Sequence, residues 1–252
     1  MFTRKINELV SEDSVFAWVL HYFGVSFYKY SDLTLEEVCK SRGINKNLFL
    51  SQIEAYSSQG EQYEEISQKI DEYPIELIIE YLKYSHHKFV KQRLPYLGQL
   101  VHALDEENFS KNPETRDLKF IFPTFLREFI EHIYEEEDDL FAYVIWINQV
   151  LKGKVSARPF EISKKISKHA LQQHALEHHT HESGMEGVAK ITNNYNAGGS
   201  GDLLVEVIYA ELKIFEQELI KHARIENAVF FPKALTLETK LAQQLHINLN
   251  LN

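Results

Sequence analysis

One cysteine, ten glycines and six prolines among 252 residues close off several classes of protein. The lone Cys39 excludes an internal disulfide framework and any thiolate-rich zinc or iron–sulfur site, so a metal here would be held through nitrogen and oxygen. Turn formers are scarce, no segment alternates as a strand would, and apolar residues recur at three and four, which predicts an all-α fold. Positive charge is also short. With 27 Lys and Arg against 37 Asp and Glu, the formal net charge is −10, which repels nucleic-acid phosphates and anionic lipid. Neither nucleic acid nor membrane is expected as a partner. No apolar run approaches the roughly eighteen residues of a membrane span. The opening "MFTRKINELVSEDS" lacks the apolar region of a secretory signal, so a cytoplasmic location is expected. What the chain does have is a 44% hydrophobic content, sufficient for a core in one large domain or two, and twelve histidines.

Two units are expected. Residues 1–58 read as a small helical domain, in which Thr34 with Glu37 forms a capping box and Gly43 a helix C-cap. The polar "SSQGEQ" around Gly60 reads as the start of a linker over 59–73. Four longer helical segments follow, at about 74–104, 118–150, 161–193 and 202–231, and predict an up-down-up-down four-helix bundle over 74–235. Pro74 suits a first turn and Pro232 a stop, leaving 236–252 as a tail.

The chemistry concentrates in a repeated pair. "HIYEEEDDLF" sets His132 four residues before Glu136, and "HARIENAVFF" sets His222 four before Glu226. Residues i and i+4 share a helix face. Both pairs fall on apolar stripes, with Phe125, Phe129 and Leu140 in one and Phe215, Leu219 and Val229 in the other. A buried carboxylate is costly unless neutralised, paired or bound to metal. The first bundle helix adds His86 or His87 from "SHHKFV", and the third adds His174, His178 or His181 from "HALEHHTH". One histidine from each gives four imidazoles and two carboxylates, a dinuclear inventory suited to iron, manganese or zinc. The bland readings are a solvated His/Glu pair on each helix, a His-rich surface tract, and a solvated acidic face at "EEEDD" with Glu136 alone turned inward. Tyr84 and Tyr134 read either as hydrogen-bond donors near a metal or as amphipathic residues at the core edge.

These residues resemble the repair-of-iron-centres proteins, a hemerythrin-like di-iron family. "HHKFVKQRLP" is similar to that family's "HHxxxxxxLP", "HIYEEEDDLF" to its "HxxxEExxLF", and "HARIENAVFFPKAL" to its "HxxxENxxLFPxAL". The resemblance implies His87, His132, Glu136, His222 and Glu226 as metal ligands. The family spacing to a "TN" element adds His178, with His174 and His181 still open because Glu182 stands where a glycine is usual. Ala142 replaces the proline usual after "LF". The N-terminal residues resemble the small domain that precedes the bundle in many members, but Tyr28 and Lys29 stand where that domain has a cysteine pair.

The resemblance implies a protein with two non-haem irons that repairs iron–sulfur clusters damaged by nitrosative or oxidative stress. Iron–sulfur proteins would be its clients, and dioxygen or nitric oxide its small ligands. The alternative is a hemerythrin-like sensor of oxygen, nitric oxide or iron that binds without turnover. Turnover and oligomeric state, a homodimer included, stay open from sequence.

Overall fold

In a computed structural model of the chain, residues 1–67, 69–169, 171–172, 184–199 and 201–250 are described. Every regular element among them is helical, and one isolated bridge joins Lys5 and Thr34. No helix among them is long and apolar enough to cross a membrane. Two compact units form, neither continuous in sequence. The first comprises Met1–Gln68, Lys91–Thr124 and Glu186–Gln217, and the second Lys69–Val90, Phe125–Met185 and Glu218–Asn252.

In the first unit, α1 (Ile6–Glu12), α2 (Val15–Tyr22), α3 (Leu35–Arg42) and α4 (Lys46–Ser67) follow in order. The capping box holds: the Thr34 hydroxyl accepts from the Glu37 amide while the Glu37 carboxylate accepts from the Thr34 amide. Gly43 closes α3 at φ 66°, in the left-handed region where a side chain would be strained. Ile6, Leu9, Leu20, Val38, Cys39 and Phe49 are buried there. α4 runs through Gly60 to Ser67, past the polar stretch expected to open a linker. A single glycine inside a helix costs only about 1 kcal/mol against alanine, so it does not force a break.

Residues 91–124 and 186–217 complete this unit, and a buried ion pair lies within it. Arg93 donates to Glu211 at 3.0 Å and to the Tyr56 hydroxyl at 2.7 Å, and Glu211 is fully buried. The Tyr56 ring lies 4.8 Å from that of Trp18. α7 (Glu106–Lys111) forms where the sequence reads as a loop, because Asp105 and Asn108 build a second capping box.

The long elements carry wide turns. α5 (Ile75–Lys88) passes through a π-helical segment, Phe89–Arg93, into α6 (Leu94–Ala103). α8 (Glu114–Glu135) passes through Glu136–Phe141 into α9 (Ala142–Leu151). α10 (Pro159–His169) and α11 (Gly184–Ile191) follow, then α12 (Leu203–Ile225), a third π segment, Glu226–Phe230, and α13 (Phe231–Asn250). Pro232 therefore does not stop the fourth helix: it sits in the first turn of α13, which continues to Asn250. An i→i+5 turn already skips an i→i+4 bond, so a proline just beyond it removes little. Pro95 follows the first π segment in the same way.

In the second unit α13 packs on α9 and α10. Ile78, Ile79, Leu82, Phe141, Val144, Ile147, Phe230 and Ala234 form its core.

Candidate metal centre

On α5 the buried residues are Ile75, Ile78, Ile79, Leu82, Ser85 and His86, and the stripe continues to Phe89. That spacing of three and four carries His86 inward. His87 lies a further 100° round the helix and is exposed, on the side of exposed Tyr84. The structure thus brings His86, not the expected His87, to the core, because Leu82 and not Tyr84 marks the buried face.

His86, Glu136, His222 and Glu226 converge, all four buried, with one ligand-type atom from each lying within 4.8 Å of the others. His86 Nε2 is 3.0 Å from His222 Nε2 and 3.4 Å from Glu136 Oε2. His222 Nε2 is 3.1 Å from Glu226 Oε1, and His132 Nε2 is 3.4 Å from Glu136 Oε1. His132 is partly buried beside its partner. Both expected His/Glu pairs therefore form, each across one turn, and each glutamate opens a π segment. Such segments are rare and concentrate at functional positions. His174, His178 and His181 lie outside the described residues. Tyr84 and Tyr134 are about half exposed, as residues at a helix edge are.

One flank of the cluster is aromatic. The His86 ring stacks on Phe141 at 5.7 Å, Phe89 stands edge-on to His222 at 5.6 Å, and Phe141 packs against Phe230 at 5.1 Å. Burial, and then the neighbouring His222, push the His86 pKa down to about 4, against the pull of Glu136 and Glu226. His86 is neutral at pH 7, so its contact with Glu136 is not an ion pair. Glu137, read from sequence as part of a solvated face, is half-buried and meets His86 Nδ1 at 3.0 Å. Burial raises its pKa, against the pull of Lys83 and His87. Its only sequence signal is its place beside Glu136.

The donor set fits a divalent cation. Two imidazole nitrogens face each other at 3.0 Å, where at most one proton can lie between them, and two carboxylate oxygens approach the same point. Nitrogen and oxygen donors without thiolate suit iron, manganese or zinc. A model of the Hemerythrin HHE cation binding domain matches residues 77–234, which contain all of these side chains. The chain belongs to the hemerythrin HHE family. Similar curated proteins include the "Iron-sulfur cluster repair protein YtfE" of Yersinia pseudotuberculosis serotype IB (strain PB1/+), 23% identical over 195 residues. The match covers 77% of this chain and 81% of the relative. The protein of the same name from Yersinia pestis (strain Pestoides F) matches to the same extent. The family match accords with a cation site among these helices; the identity of the cation is a matter for its chemistry.

Proposed function

We propose that this is a non-haem di-iron protein that repairs iron–sulfur clusters damaged by nitrosative or oxidative stress, acting in the cytoplasm on iron–sulfur proteins. The observation that carries the reading is the convergence of His86, Glu136, His222 and Glu226 inside a hemerythrin HHE chain. The names of the Yersinia relatives supply the substrate class. In this reading Glu136, Glu226, His86, His132 and His222 would hold the metal, together with His178. His87, which the sequence pattern favours, is the competing ligand on α5. When bound, two irons would supply redox capacity and open positions for nitric oxide, dioxygen or an iron in transit. The chain's own residues set the conditions for this: the carboxylates offset cationic charge, the imidazoles offer nitrogen donors, and Phe89, Phe141 and Phe230 keep water from one flank.

The test is elemental analysis and absorption spectroscopy on protein purified and reconstituted without oxygen. About two irons per chain, with visible bands that change on exposure to nitric oxide or oxygen, are expected. Glu226→Ala should bind well below the wild-type amount; full retention at wild-type affinity would sink its place in the site. A sensor without turnover is the second reading, favoured by Tyr28 and Lys29 at the place of the related domains' cysteine pair. Nitric oxide binding that alters partner affinity without restoring damaged clusters would select it.

A further inference from the structure

We propose that Glu137 is a positioning residue for the metal centre: its carboxylate fixes His86 in the tautomer that turns the Nε2 lone pair towards Glu136, His222 and Glu226. The inference rests on the metal-site reading above, and concerns a side chain outside the expected ligand set. His86 Nδ1 lies 3.0 Å from Glu137 Oε1, while His86 Nε2 lies 3.4 Å from Glu136 Oε2 and 3.0 Å from His222 Nε2. A neutral imidazole carries one N–H. If it sits on Nε2 it points into the cluster and blocks a ligand atom; if it sits on Nδ1 it donates to Glu137 and leaves Nε2 free to bind. Free imidazole side chains favour the proton on Nε2, so the tautomer that binds metal through Nε2 needs a partner at Nδ1, and a carboxylate is the strongest acceptor available.

The backbone explains how consecutive glutamates serve the two ring nitrogens. Glu136 and Glu137 open the π segment Glu136–Phe141, where the turn is wider than in an α-helix, and both carboxylates reach the ring from one strand of backbone. Phe141, at the end of the same segment, stacks on the ring at 8° between planes and fixes its orientation. One six-residue segment therefore supplies a carboxylate for each nitrogen and a wall for the face.

The test uses the full chain with 15N-labelled histidine. Glu137→Met fills similar space without an acceptor, Glu137→Gln keeps one, and Glu135→Met removes a neighbouring exposed charge as a control. In metal-free wild-type protein, long-range nitrogen–proton spectra should show His86 protonated at Nδ1. Glu137→Met should move that proton to Nε2 and weaken cobalt(II) or iron(II) binding by about 10- to 100-fold. Glu137→Gln should keep the tautomer and stay within about threefold of wild type. Glu135→Met should change neither. Wild-type tautomer and affinity in Glu137→Met would overturn the proposal, as would an equal loss in Glu135→Met. Wild-type protein that takes up no metal would overturn the metal reading instead, and the tautomer of the metal-free protein would still decide the Glu137 contact.

Discussion

Two histidines adjacent in sequence, His86 and His87, have opposite fates, one buried and one exposed. The difference is measurable. His86→Ala should weaken iron(II) binding by more than about tenfold, and His87→Ala by less than about twofold. The reverse order, read by anaerobic titration, would return the site to the sequence expectation. Proton linkage gives a second handle on His86. Burial holds its pKa at about 4, below the ordinary 6.5 of a histidine. Above pH 6.5 neither state binds the proton. Below it the unfolded chain takes up the proton first, so the contribution is complete above 6.5 and is lost as pH falls towards 4. The loss is on the order of 3 kcal/mol. Denaturant unfolding of metal-free protein between about pH 7 and pH 4.5 should show that slope, reduced in His86→Leu. The choice between the two histidines was not legible in the sequence, because it turns on whether Leu82 or Tyr84 faces inward, and both suit a helix edge. The pairs His132/Glu136 and His222/Glu226 were legible, because a spacing of four on an apolar stripe fixes face and depth together.

At the scale of elements, the π segments set how the site meets the core. Glu136 must face the cluster while Leu140 and Phe141 stay buried, and the wide turn lets both hold. Deleting exposed Asp138 should restore an α-helical register and turn everything beyond it by about 100° relative to His132. Either the cluster or the core residues Phe141 and Val144 would then be misaligned. The expected result is loss of metal and a destabilisation of several kcal/mol, whereas Asp138→Ala should change either by little. Thermal unfolding with metal analysis on both variants checks this. The helices and the α3 caps were readable from periodicity and from Thr34, Glu37 and Gly43. The continuation through Pro232 was not, because it follows a π turn that the sequence does not display, and a proline just beyond such a turn removes little. Glu137 was hidden for a related reason: in a run of five acidic residues, neighbouring carboxylates differ only in backbone geometry that the sequence does not display.

Across the whole molecule, a bound cation acts on stability by mass action. A metal present at about 100 times its dissociation constant adds about 2.7 kcal/mol, which for a chain of this size raises the melting temperature by roughly 5 to 10 °C. Calorimetry with and without iron(II) should show that rise, and Glu226→Ala should abolish most of it. The all-α class followed from scarce turn formers and a helical period. Each of the two compact units draws on three separate stretches of chain, and a sequence signals contiguous stretches far better than interleaved ones.

That interleaving fixes when the site comes into being during synthesis. His86 and His222 meet across 136 positions, and neither unit has its last segment until residues beyond 185 have been made. A ribosome-bound chain halted before Glu226 holds at most three of the four buried groups. The nascent protein therefore passes most of its synthesis without a completed cation site, and gains one only after nearly all of these residues have emerged.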